Sequence, residues 1–264
     1  MKLEHYRVDA FTDRPFGGNP AAVCLLPEPR PTEWMQSVAR ELNQPVTAFL
    51  QSAEEGQWRV QWFTPTVELE LCGHATLASA HVLWEAGRLA PGDLARFHTR
   101  SGLLTAERRD GVIEMDFPAR ATAAAEPPAG LVEALGVTPR FVGESRSSHL
   151  VEVSSEEEVR SAKPDFGSLR ALQARIILTA ASSGHPYDFV SRFFAPGVGI
   201  DEDSVTGSSH CALGPYWAER TGRSSFLAWQ ASERGGAVRV RVEGDRVKLG
   251  GQAVTVLGGQ LVAG

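Results

Sequence analysis

Apolar and polar residues alternate over "YRVDAF" (6–11), the period of a half-buried strand. The more apolar "NPAAVCLL" (19–26) reads as a second strand, and "FTDRPFGGNP" between them is turn chemistry, with Pro, two glycines and Asn-Pro. In "PTEWMQSVARELN" the apolar positions Trp34, Val38 and Leu42 recur at helical spacing, and Thr32 is placed to cap that helix. "AFLQS" and "WRVQWFT" read as strands. "GHATLASAHVLWEAGRL" predicts a helix whose many small residues suit close packing on all sides. "ARFHTRSGLLTAERRDGVIEMDFPA" predicts a strand meander with a turn at Asp110-Gly111.

The Ala/Pro-rich "RATAAAEPPAG" (120–130) has no periodicity and reads as a linker between two halves, 1–119 and 120–264. "LVEALGV" opens the second half, and "ARIILTA" and "YDFVSRFF" follow as strands. "GSSHCALGPYWAERTG" is another small-residue helix, and a closing meander turns at Gly244-Asp245. The last strand is free to cross back to the first half. The halves echo one another. "FTPTV" (63–67) runs into Gly73 and a helix, and "FAPGV" (194–198) runs into Gly207 and a helix. Aligned on those glycines, Ala78 matches Ala212 and Glu85 matches Glu219, which points to an internal duplication with a site between the halves.

Composition narrows the classes. The 264 residues carry a net charge of −6 with 42% hydrophobic and 22% charged residues, ordinary for a soluble globular chain. Without a Lys/Arg footprint, nucleic acid is not an expected partner. No apolar run approaches the roughly 18 residues of a membrane span, and the N-terminus lacks a signal-peptide core. The three cysteines, Cys24, Cys72 and Cys211, lack CxxC spacing and read as reduced thiols of a cytoplasmic protein, with zinc not expected.

Helix starts at Gly73 and Gly207 would present unpaired N–H groups and a partial positive charge, a ready site for a carboxylate or for the enolate-like charge of a deprotonated carbon acid. His74 and Asp203 flank those starts and could exchange a proton with a substrate, or simply cap a helix and line a loop. "DEDSVTGSSH" (201–210) lacks the alternate ligand spacing of a calcium loop, and no phosphate-loop motif is present. A two-thiol epimerase needs a Cys on each face of its substrate. Cys72 precedes Gly73, but Thr206 precedes Gly207 and Cys211 lies inside its helix, so the cysteines read as buried small hydrophobes. His81 and His210 read as packing residues within their helices.

The segments "YRVDAFTDRPFGGNPAAVCLL", "WFTPTVELELCGHATLASAHVL", "GIDEDSVTGSSHCALGPYWAERTG" and "AVTVLGGQL" closely resemble the PhzF-like phenazine-biosynthesis family, in order and across nearly the whole chain. The resemblance implies an α+β fold like diaminopimelate epimerase: two pseudo-symmetric halves, each a β-barrel-like sheet around a central helix, with the active site in the cleft between them. It implies cofactor-independent proton-shuttle isomerisation of a small carboxylate-bearing substrate, a dihydro-hydroxyanthranilate in the phenazine pathway, and a homodimer. Carried over by motif, His74, Asp203 and Ser208 are catalytic positions, Gly73 and Gly207 bind the anion through their backbone, and Asn19 lines the cleft. Two positions depart from the family pattern. Members that isomerise the phenazine precursor carry an acid/base Glu in a motif like N-x-S-E-T-A-F; here "NQPVTAF" puts Val46 in its place. Loss of such a group typically removes about 10²–10⁴-fold in rate. The implied alternatives are a different proton transfer by His74 with Asp203, with neighbouring Glu41 as another acid that could reach in, or a binding protein that keeps the fold without turnover. Ser204 stands where the family usually has Pro, a change expected to free a backbone N–H and loosen the turn.

Overall fold

Strands form the larger share of the regular structure, and two small-residue segments become the helices those strands enclose. The computed structural model describes residues 2–54, 56–184 and 186–262. The chain divides into two units, one formed by Met1–Asp116 with Gly250–Gly264, the other by Phe117–Leu249.

The first unit contains β1 (Lys2–Ala10), β2 (Asn19–Leu26), α1 (Thr32–Leu42), β3 (Val46–Ser52), β4 (Gln57–Phe63), β5 (Glu68–Leu69), α2 (Gly73–Glu85), β6 (Ala95–Thr99), β7 (Gly102–Arg109) and β8 (Val112–Pro118). The second contains β9 (Ala123–Ala124), α3 (Leu131–Leu135), β10 (Phe141–Ser145), β11 (Ser148–Glu152), α4 (Glu156–Ser161), α5 (Phe166–Ala171), β12 (Ile176–Ala181), β13 (Phe189–Ala195), β14 (Ile200–Asp203), α6 (Gly207–Thr221), β15 (Ser225–Gln230), β16 (Gly236–Glu243) and β17 (Arg246–Gly251). The last strand, β18 (Ala253–Val262), pairs antiparallel with β1.

The duplication is written in the pairing. In the first unit β1–β2 is antiparallel, β2–β3 parallel, β3–β4 antiparallel, β4–β6 parallel and β6–β7 antiparallel. In the second unit β10–β11, β11–β12, β12–β13, β13–β15 and β15–β16 repeat that sequence of senses. Each parallel pair needs a crossover, because a tight hairpin can only reverse direction. Helix α1 supplies the first crossover of one unit and α4–α5 that of the other, while α2 and α6 supply the second. A short strand folds back on β4 and on β13 just before α2 and α6.

Helix α2 buries every residue from His74 to Trp84 except His81, and α6 buries residues around its whole circumference. Only small side chains let a helix sit that close to surrounding strands. Their hydroxyls turn back on the helix itself: Thr76 Oγ1 donates to Cys72 O at 2.6 Å and Ser79 Oγ to Ala75 O at 2.6 Å. Helix α1 is one-sided, burying Met35, Val38 and Ala39 over Phe49 and Phe63, with Trp34 and Leu42 at the margins. The cap position of α1 belongs to Pro31 and not to Thr32, which is its first helical residue; the Pro31 carbonyl takes the N–H groups of Trp34 and Met35.

Pro215 sits inside α6. It has no N–H, so the Cys211 carbonyl four residues back loses its helical donor. The backbone N–H of Arg120 fills that position at 3.0 Å. The segment read as a bare linker is therefore partly structured: Arg120 is pinned to α6, and Ala123–Ala124 pairs with β10 at Glu144 and Gly143. The turn at Asp110-Gly111 has positive φ at both residues (49° and 75°), as a two-residue hairpin requires. Among the described residues no helix is long and apolar enough to cross a membrane.

Gly214 shows how tightly α6 is enclosed. A Cβ there would lie 2.8 Å from a Val240 methyl and 3.2 Å from a Val242 methyl. Gly214→Ala is expected to lower unfolding free energy by about 1–3 kcal/mol, as overpacking does, despite the better helix propensity of Ala. Urea denaturation of the two proteins checks this.

Candidate active site

In the first unit the site residues cluster at the start of α2. Gly73 is the first helical residue and Cys72 the cap residue, with no side-chain cap and no acid in the first turn. His74 is 7% exposed. Its Nδ1 lies 3.3 Å from Asn19 Nδ2 and 3.5 Å from Cys72 Sγ. An amide nitrogen only donates, so in this contact Nδ1 is the acceptor, which corresponds to the tautomer with its proton on Nε2. Asn19 is fully buried at the head of β2. The loop before it is held by the Phe16 N–H, which donates to the buried Asp9 carboxylate at 2.7 Å. Gly18 closes the loop at φ 60°, where a Cβ would fall 2.1 Å from Ala10 O.

Val46 opens β3, 4% exposed, in register with Ala21 of β2. Its neighbours in that strand, Thr47, Ala48 and Phe49, are buried as well. Glu41 is exposed in the last turn of α1.

In the second unit the three acids of "DED" go to three separate partners. Asp201 pairs with Arg170 at 2.7 Å, and Glu202 takes Arg192 with both oxygens at 2.7 and 2.8 Å. Asp203 Oδ2 accepts from Thr206 Oγ1 at 2.5 Å. No group of three or more His, Cys, Asp or Glu side chains able to hold a metal occurs among the described residues. The turn from Asp203 to Thr206 is tied and not loose: Gln230 bonds both of its ends, and Ser232 Oγ donates to Ser204 O at 2.7 Å. Helix α6 then starts at Gly207, again with no side-chain cap and no acid in its first turn. The contrast lies within the same chain, where Ser155 caps α4 and Asp165 caps α5. Ser208 is exposed on the first turn of α6, and its carbonyl receives Arg120 Nη1 at 3.4 Å. Burial pushes the Arg120 guanidinium below its usual pKa, and the nearby Arg146 adds to this.

Gln230 and Ser232 were not singled out from sequence. The signal for Gln230 was present: it lies in step with Phe226 and Ala228 on the buried face of β15, a polar residue on an apolar stripe. For Ser232 there was none.

Of the other histidines, His81 bonds Thr255 at 3.1 Å and lies 3.4 Å from Glu85; burial holds its pKa down, against the pull of Glu85. His210 is fully buried and stacked on Phe189, and its Nδ1 meets Thr206 O at 2.9 Å. Burial lowers its pKa to about 4. None of the three cysteines is in a disulfide, and all are buried. Burial raises Cys24 and Cys211 to about 12.

Two outcomes follow from these groups. At pH 8 iodoacetamide should modify Cys24 and Cys211 at least about 10²-fold more slowly in the native protein than in urea, because the thiolate is the reacting form; mass spectrometry of the digested protein reads this. For His210 the unfolded chain binds a proton between pH ~6.5 and ~4 while the folded one does not. Stability therefore falls as pH drops through that window, by up to about 3 kcal/mol from this group. His210→Gln should flatten that part of the urea-derived stability curve relative to wild type.

Known proteins resemble this one over its whole length. The family model for phenazine biosynthesis-like proteins, PhzC-PhzF, matches residues 8–259. A Halalkalibacterium halodurans protein named an uncharacterised isomerase is 48% identical, covering 99% of each chain. A crystal structure of a PhzF-family protein from Enterococcus faecalis superposes with a TM-score of 0.95 at 35% identity, covering 100% of both chains. A hydroxyproline epimerase from Agrobacterium vitis, at 13% identity and a TM-score of 0.60 over 98% of this chain and 92% of its own, shares the fold. Motifs, duplicated pairing and full-length similarity agree that the chain belongs to the PhzC-PhzF phenazine biosynthesis-like family.

Proposed function

We propose that this protein is a cofactor-independent isomerase that moves a proton on a small carboxylate-bearing substrate, with Asp203 as the proton-handling group and His74 as a hydrogen-bond donor. The observation that carries this reading is the Asn19–His74 hydrogen bond, in which Nδ1 accepts and the Nε2–H is left as a hydrogen-bond donor toward a substrate. Asp203 takes a proton from carbon and returns it at the other end of the conjugated system, while the Nε2–H of His74 donates a hydrogen bond to the charge that develops between, so that both groups end as they began. One C–H bond breaks and one forms, and no redox partner is needed. The backbone N–H groups at Gly73 and Gly207 hold the substrate carboxylate and the charge that develops beside it, and the Ser208 hydroxyl donates to the same anion. The name of the Halalkalibacterium halodurans relative supports the reaction class.

A second reading rests on Val46. A buried valine cannot exchange a proton, so a protein that binds a small carboxylate without turnover fits this position equally well.

Proton NMR in D₂O separates them, following C–H exchange of dihydro-hydroxyanthranilate and a panel of small carbon acids. Exchange by wild type is expected, falling by about 10²–10⁴-fold in His74→Ala and in Asp203→Asn. Silence in wild type with exchange in Val46→Glu would establish the binding reading, a site that lacks only its base. Silence in both would overturn the isomerase proposal for these acids.

A further inference from the structure

Gln230 ends β15 with its side chain fully buried. Its amide is used at both ends. Oε1 accepts the Thr206 N–H at 2.8 Å, and Nε2 donates to Asp203 O at 2.8 Å and to Thr206 Oγ1 at 3.3 Å. One side chain thus grips the main chain on both sides of Ser204.

The chemistry of these groups fixes the direction of the hydrogen bonds. The amide nitrogen only donates, so Thr206 Oγ1 accepts from it. The single hydroxyl proton of Thr206 is then directed at Asp203 Oδ2, 2.5 Å away. The chain runs from the Gln230 amide through the Thr206 hydroxyl to the Asp203 carboxylate. Thr206 is also the cap residue of α6, where a threonine hydroxyl ordinarily accepts a first-turn N–H. Here it makes no such bond. The hydroxyl faces back to Asp203 at the expense of the helix start, and the first-turn N–H groups of α6 are left without a side-chain cap.

We propose that Gln230 and Thr206 are positioning residues for the proton transfer: together they set the place of the Asp203 main chain and the orientation of its carboxylate. This rests on the reading of Asp203 as a proton-handling group. A residue that orients a reacting carboxylate acts on the chemical step, whereas a residue that only stiffens a loop acts on folding stability. Displacing a reacting group by about 1 Å can cost ~10²-fold in rate.

The test is C–H exchange in D₂O, using whichever acid of the panel wild type exchanges fastest, over a range of concentrations. Gln230→Met and Thr206→Val are each expected to lower kcat by about 10²-fold with KM held within about threefold. The double variant should lose little more than either single one, because both act through one hydrogen-bond chain. Thr206→Ser, which keeps the hydroxyl, should recover most of the rate lost in Thr206→Val. Circular dichroism on each variant shows that the folded protein is being compared, and Thr206→Val serves if Gln230→Met does not fold. Wild-type kcat in Gln230→Met and Thr206→Val, with Asp203→Asn inactive, would overturn the proposal while the Asp203 reading stands. A change confined to KM would overturn it too. Undiminished exchange in Asp203→Asn, or no exchange by wild type with any acid, would remove the reading of Asp203 and this proposal with it.

Discussion

Each unit encloses a helix on nearly every side, and that enclosure governs much else in the molecule. A helix packed all round leaves little room near its start, so α2 and α6 are rich in Gly, Ala, Ser and His there, with the bulkier Val82, Leu83, Trp84, Tyr216 and Trp217 toward their far ends. Its hydroxyls have nowhere to go but its own carbonyls, and they go there in both units, at Thr76 and Ser79 and again at Ser209. The strands that wrap it must alternate parallel and antiparallel neighbours, because the helix is itself a crossover. What the enclosure cannot satisfy by packing is the helix start, where several N–H groups need acceptors. Of the peripheral helices α4 and α5 meet this need with Ser155 and Asp165, while α1, α3 and the two enclosed helices have no side-chain cap.

The proposed chemistry depends on contacts around those starts. Asn19 offers its amide nitrogen to Nδ1 of His74, and does so from a position shaped by a glycine that no larger residue could replace. Thr206 presents its hydroxyl to Asp203. Val46, where family members that isomerise the phenazine precursor carry a glutamate, is sealed into its strand among other buried residues. Any turnover here falls to groups outside that position.

Local features were legible in the sequence. β2 spans Asn19–Leu26, the run its apolar residues mark, and the Asp110-Gly111 turn falls where its residues put it. The helices after Gly73 and Gly207 begin at those glycines. The spacing of Trp34, Val38 and Leu42 marks α1, but its cap falls on Pro31, whose fixed φ displaces Thr32 from that role. What stayed hidden was non-local. The pairing of Ala123–Ala124 depends on the edge of β10, which nothing in an alanine-rich segment announces. Gln230 at the end of β15 and Ser232 just beyond it reach the Asp203 turn from more than twenty residues further on, and spacing along the chain does not encode that meeting.

Pro215 and the backbone of Arg120 have a consequence for how the chain tolerates change. The donor that replaces the missing helical N–H belongs to the main chain, so any residue but proline at position 120 can supply it. What cannot vary freely is the count of residues between the end of β8 and Arg120, because an insertion there would carry the donor past the Cys211 carbonyl. The stretch joining the two units is thus permissive in composition and strict in length at its beginning. Substitutions should accumulate there readily while insertions move further along, toward the prolines that precede α3.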